Sequence, residues 1–264
     1  MNCINCQHEL NSNYCPNCGQ RSGVKRITFR EGWNDFWARI YGFDGMVPRT
    51  LRDLTIRPGY ASRIFISGNR VQYYGPVGYF FLMITLFLLI VSFTGKDLNE
   101  FLLQNSNKYS PEITGDHQKQ FMQAIVGFIS DNIKLISFMA IPIEAFCARY
   151  IFFRRSGFNF LENMVLPFYL RGHVYWLSIL AFLVYVFTSS TMFYTSITVI
   201  TVFYFGLGYS SLIDYQPKWK SFLKGIGIVM MGQVIFMAIA FAAVFIAIAV
   251  SPELLEMVRP SNNK

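Results

Sequence analysis

The chain has 264 residues, of which 53% are hydrophobic, 17% aromatic and only 14% charged. Soluble domains carry roughly 25% charged residues, so most of this surface is excluded from facing water. The net charge of +8 admits nucleic acid or an acidic membrane surface as a partner, and the positions of the charges decide between them.

Four cysteines come first: Cys3, Cys6, Cys15 and Cys18, spaced C-x2-C-x8-C-x2-C. Two closely spaced pairs suit a tetrahedral Zn²⁺ ion, because each short pair wraps one side of it. No secretory leader precedes them, so a reducing compartment is expected, where such pairs indicate metal rather than disulfide. A segment of about twenty residues cannot bury a useful core, so the metal would supply nearly all its folding energy. The expectation is a structural zinc ribbon over residues 1–22, since a closed four-thiolate site has no open position for catalysis. His8 lies between the pairs and reads as an ordinary exposed residue. Cys147, isolated in an apolar run, reads as a small buried hydrophobe.

Residues 23–76 form a basic, aromatic bridge. Thr28 and Glu31 have the spacing of a capping box at a helix start. Trp33, Phe36, Trp37, Ile40 and Tyr41 then recur at helical spacing, which gives one aromatic face. With Arg30 and Arg39 off that face, the helix is expected at the cytosolic membrane interface, anchored by Trp33, Phe36, Trp37 and Tyr41. A second short helix is expected to begin near Pro58, a good first helical position, and to end before Gly68.

Five segments are long and apolar enough to be read as spans, which take about 20 residues each. They are Val77–Thr94, Leu135–Phe153 (broken by Pro142), Met164–Phe187, Met192–Ile213 and Ile226–Val250. Arg171, Gly172 and His173 interrupt the first half of the third. The expected fold is therefore all-α, a five-helix transmembrane domain over residues 77–250 with a loop at 95–134. Within that loop Phe121, Ile125, Phe128 and Ile129 follow helical spacing, either as a surface helix or as an extension of the second span.

Lys and Arg mark the cytosolic side. Residues 1–76 carry ten of them, Arg154 and Arg155 follow the second span, and Lys218, Lys220 and Lys224 follow the fourth. Loop 95–134 balances its lysines with acids, and Thr188–Thr191 has no basic residue. The bias predicts the N-terminus and ribbon inside, with loop 95–134 and the tail 251–264 outside. Ten cations beside a first span are what insertion requires, and anionic head groups attract them. The bilayer, rather than nucleic acid, is thus the expected partner.

Ionisable residues at membrane depth need a partner or a task. Counting from a turn near residues 156–157, Glu144 and Arg171 fall at matching depth in an antiparallel hairpin, and so do Arg149 and Glu162. The cross-helix pairs Glu144–Arg171 and Arg149–Glu162 are expected, either fixing register or, with His173, lining a polar cavity. Small residues in the last span (Gly227, Gly232, Ala238, Ala242, Ala243 and Ala247) allow close helix contact, within the bundle or across a homo-oligomer.

No catalytic motif occurs: there is no G-x-S-x-G, H-E-x-x-H or Walker loop, and the histidines are only His8, His117 and His173. The order Cys15-Pro-Asn-Cys18-Gly-Gln, Arg57-Pro58-Gly59, Gly68-Asn-Arg-Val-Gln-Tyr73-Tyr-Gly-Pro76 and Arg154-Arg155…Glu162-Asn163 resembles an uncharacterised family of Bacteroidota membrane proteins. That family is a domain of unknown function with an N-terminal four-cysteine zinc ribbon. The family has Glu-His where this chain has Glu162-Asn163. The resemblance implies a bacterial inner-membrane location and no activity. The leading expectation is a non-enzymatic accessory protein that docks a protein partner. A transporter, channel or pore, including a phage-defence effector, is the alternative, and an intramembrane lipid-modifying enzyme is a second.

Overall fold

The computed structural model describes residues 2–3, 6–9, 11–18, 45–69, 72–107, 116–190 and 192–250. Two compact units are present, Met1–Gly45 and Met46–Lys264. In the first, Asn2 and Glu9 form an antiparallel bridge. The Cys3 N–H donates to the His8 carbonyl (2.8 Å) and the Gln7 N–H to the Cys3 carbonyl (2.9 Å). Gln7 takes a left-handed φ of 60°, which closes the turn carrying Cys3 and Cys6. The expected interfacial anchors Trp33, Phe36, Trp37 and Tyr41, like the tail 251–264, lie outside the described residues.

The regular secondary structure of the second unit's described residues is all helical. Its elements are α1 (Met46–Ile56), α2 (Tyr60–Ile66), α3 (Pro76–Thr94), α4 (Leu98–Asn107), α5 (Asp116–Asp131) and α6 (Ile133–Phe146). A π-helical turn, Cys147–Phe152, continues α6, and α7 (Phe160–Thr188), α8 (Met192–Leu212) and α9 (Lys218–Val250) complete the unit. Four helical stretches are long and apolar enough to cross a membrane: α3, α6 with its π turn, α7, and Lys218–Ala242 of α9. In α8 the apolar stretch Ser196–Leu212 is shorter.

Three local features differ from expectation. Pro142 does not break the second segment, because α6 runs through it and changes only at Cys147 to π geometry, with the Phe153 N–H on the Ala148 carbonyl (2.8 Å). Arg171-Gly172-His173 does not interrupt the third segment, which is one 29-residue helix started by an Asn159–Glu162 capping box. Loop 95–134 contains two helices, and α5 is separated from α6 by Asn132, so it is not an extension of that span.

Helix α7 is the hub, packing on α3, α6, α8 and the α1–α2 pair. At about 1.5 Å per residue it is about 43 Å long, more than the roughly 30 Å hydrocarbon core. It packs along the length of α3 and also takes the α1–α2 pair at its start. Its early residues Val165 and Tyr169 pack with Val47, Leu54 and Ala61 of α1–α2 and with Tyr79 and Met83 of α3. Later, Ile179, Phe182 and Tyr185 pack with Phe87 and Val91 of α3 and Phe101 of α4. A Cβ on Gly172 would stand 2.9 Å from Tyr79 and 3.0 Å from Phe80, so Gly172 lies level with the first turns of α3.

Candidate metal centre and interhelical polar sites

The four cysteine sulfurs lie within 4.8 Å of one another. Sγ of Cys3 is 3.5 Å from that of Cys18, and Sγ of Cys6 is 3.5 Å from that of Cys15. These separations are far too long for disulfides. They match the edges of a sulfur tetrahedron, about 3.8 Å for metal–sulfur bonds of about 2.3 Å. Each contact joins one member of the first pair to one of the second, so both pairs must be in place before the set closes. Cys3 and Cys15 are buried, while His8 is exposed. The backbone N–H of His8, followed by the Asn17 side chain, lowers the Cys6 thiol to about 6, which favours the thiolate that a metal requires. Four close sulfurs of this kind could hold one metal ion and leave no coordination position for a reactant.

In the second unit Arg171 donates through Nε (3.1 Å) and a terminal nitrogen to Oε1 of Glu144. Glu144 is wholly buried, and the Arg171 guanidinium also lies 5.7 Å from the Phe205 ring centre. Gly232 of α9 makes room for the carboxylate stem, since a Cβ there would sit 3.1 Å from Glu144 Cγ. Along α7 the pair lies beside Gly172, which packs on Tyr79 and Phe80 in the first turns of α3. Arg149 and Glu162 are not brought together. Glu162 instead accepts from the Asn159 N–H (2.7 Å) as its own N–H donates to Asn159 Oδ1 (2.8 Å), and the half-buried Arg149 has no ion pair among the described residues.

His173 is not part of the Glu144–Arg171 group. Two residues along a helix turn the side chain by about 200°, so it faces α1 and α3. Its Nδ1 is 3.1 Å from the Tyr79 hydroxyl and its Nε2 is 3.2 Å from Thr55 Oγ1. The ring stacks on Tyr204 at 5.4 Å, and the Tyr204 hydroxyl donates to the Leu54 carbonyl (2.8 Å). Thr55, Tyr79 and Tyr204 thus complete a seam that the charged residues alone do not reveal. A tyrosine hydroxyl in an apolar helix was the available signal, since it needs a partner when buried.

Two further contacts tie the α1–α2 pair to the end of α8. Arg63 donates to the Ser211 carbonyl and pairs with Asp214, which also accepts from Lys218 (2.7 Å). Gly59 lies against the Gly208 carbonyl and Ser211, with no space for a Cβ.

Residues 44–88 match the model of a family described as a protein of unknown function, DUF3667. The matched segment contains α1, α2 and most of α3, including Thr55 and Tyr79, and none of the four clustered cysteines. No curated protein and no solved structure matches the chain.

Proposed function

We propose that the chain is a non-enzymatic accessory or regulatory protein of the bacterial inner membrane. It crosses the bilayer five times with its N-terminus in the cytosol, and a ribbon folded around structural Zn²⁺ docks a partner protein there. The observation that carries this reading is the closed set of four sulfurs, Cys3, Cys6, Cys15 and Cys18. Such a set supports a folded binding surface and leaves no coordination position for a reactant. Four long apolar helices support the membrane assignment, and α8, at 21 residues and about 32 Å, has the length for a fifth crossing. Lys and Arg before α3, between the π turn and α7, and at the start of α9 support the orientation. The test is affinity purification of full-length protein and a Cys15→Ser variant from native membranes at matched expression. A stoichiometric partner should be lost with Cys15→Ser. An unchanged set of bound proteins would overturn the docking role.

A second reading, a transporter, channel or pore, has one observation in its favour. Glu144 Oε2 and the Tyr209 hydroxyl are both buried without a hydrogen-bond partner among the described residues. Flux through liposomes containing the purified protein, abolished by Glu144→Ala with assembly intact, would favour it over docking.

A further inference from the structure

Helix α1 has two working faces. Val47, Thr50 and Leu54 are buried, whereas Arg49, Arg52, Asp53 and Ile56 recur at three- and four-residue spacing on another side. On that second side Arg49, Arg52 and Ile56 are exposed and Asp53 is half-buried. Together with Arg57, this side walls a cavity of about 530 Å³ that Tyr60 of α2 and Tyr73, just before α3, also line.

The cavity holds three guanidiniums against one carboxylate. Asp53 is already committed, accepting from the Tyr73 hydroxyl (2.7 Å) and from Arg52 Nε (2.9 Å). Burial acts to raise its carboxyl, but the Arg52 and Tyr73 hydrogen bonds and the Arg52 and Arg57 charges outweigh this and hold it below its ordinary range. It therefore stays charged and neutralises only one arginine. Arg52 spends Nε on Asp53, and its two terminal nitrogens have no partner among the described residues. Among the described residues Arg49 makes only a long contact, to the Gln72 carbonyl (3.4 Å). Arg57 is steadied over the Tyr60 ring, 5.7 Å from its centre. Several guanidinium donors thus face one space in which, among the described residues, Asp53 is the one anion.

Position narrows the chemistry. Tyr73 is three residues before Pro76, where the apolar helix α3 begins, so the cavity opens at the level where that helix would enter the bilayer. A second crevice of about 320 Å³ shares Ile56, Arg57 and Tyr60 with the first and adds Pro58, Tyr204 and Leu207 beside the hydroxyls of Thr55, Ser210 and Ser211. Its Ile56, Pro58 and Leu207 side suits hydrocarbon, and guanidinium forks suit phosphate oxygens bidentately. We infer that Arg49, Arg52 and Arg57 bind one phosphate-bearing anionic head group, whose acyl chain lies along the crevice walled by Ile56, Pro58 and Leu207. A free phosphate ester shares the head-group chemistry and is the other source that the test must separate.

The experiment titrates fluorescent phosphatidylglycerol, and phosphatidylcholine as reference, into the full-length protein in detergent. Saturable one-to-one binding is expected, at least tenfold tighter for phosphatidylglycerol. Arg49→Gln/Arg57→Gln, which leaves the Arg52–Asp53 pair intact, should weaken it at least tenfold with an unchanged thermal midpoint. Arg154→Gln/Arg155→Gln removes two exposed cations outside the cavity and should bind as the wild type does. Equal losses in both variants would mean diffuse charge attraction and overturn the site, as would wild-type binding by the first variant. If that variant melts early, Arg49→Lys/Arg57→Lys keeps the charge without the forks and should still lose affinity. Undiminished binding by it would also overturn the proposal. Competition by inorganic phosphate and glycerol 3-phosphate separates the sources. Weak competition assigns the site to lipid, whereas binding as tight as the lipid's, lost in the first variant, assigns it to a soluble phosphate.

Discussion

Arg171 directs both of its hydrogen bonds to Glu144 at a single oxygen, Oε1, while Oε2 has no partner among the described residues. A buried carboxylate half-satisfied in this way depends on its one cation. Removing one member of a buried pair strands a charge at a cost of about 3–5 kcal/mol in soluble proteins, whereas replacing both is often nearly neutral. Snorkelling towards water lowers that cost in a bilayer. Glu144→Gln and Arg171→Gln should each destabilise the purified protein towards the smaller end of this range. The double variant should recover part of the loss, because contacting residues show a coupling energy. Thermal melting of the four proteins measures it, and strictly additive losses would contradict the pairing.

Replacing His173 should destabilise by a different route. In His173→Leu the Tyr79 hydroxyl is left buried without its partner, at a cost of about 1–3 kcal/mol. Tyr79→Phe in the same chain removes the stranded group and should restore part of the midpoint. No recovery would mean that stacking on Tyr204, rather than the hydrogen bond, holds the ring.

The tie between α2 and the α8–α9 connection has both a steric and an electrostatic part. Gly59→Ala forces a methyl group against the Gly208 carbonyl, and overpacking of this kind costs about 1–3 kcal/mol. Asp214 is held below its ordinary value of 3.8 by the hydrogen bonds from Lys218 and Arg63. A depressed carboxyl contributes stability above its unfolded pKa and loses it as pH falls through the lower folded value. The effect of Arg63→Gln on the midpoint should therefore be constant between about pH 5 and 8 and fade below about pH 4. An effect that grows in acid would refute this assignment.

Protein purified without chelator should contain one Zn²⁺ per chain, with four sulfur neighbours at about 2.3 Å by X-ray absorption. Cys15→Ser should abolish stoichiometric metal and unfold the ribbon, because the metal supplies its folding energy. The helical unit should remain inserted. Metal-free wild-type protein with a protease-resistant N-terminus would refute a metal-dependent fold.

Topology is checked with a reporter active only outside the cytoplasm. Fusions after Lys25 and Lys220 should be silent, and fusions near Lys108 and at Lys264 active. Activity at Lys220 would mean an odd number of crossings before α9, with the short apolar stretch of α8 as the place to look.

What sequence alone made legible is what depends on near neighbours along the chain. Cysteine spacing announces a four-sulfur set because the two short pairs are local. Apolar runs announce α3, α6, α7 and α9 because backbone groups in lipid must bond within their own helix. Even the Glu144–Arg171 pair could be counted out, since a hairpin fixes which residues share a depth. The same count failed for Arg149 and Glu162, because a local capping box at Asn159 takes the carboxylate first. Tertiary packing decided the rest. Arg171 and His173 are two residues apart, yet one meets α6 and the other meets α1 and α3. Which face of α7 meets which neighbour depends on how the helices rotate and overlap. Only the folded chain reveals that α7 is longer than one span and that its early residues meet α1–α2 and α3 together. The arginine cavity has the same origin: its walls come from α1, α2 and the segment before α3, and no spacing rule along one helix brings them together.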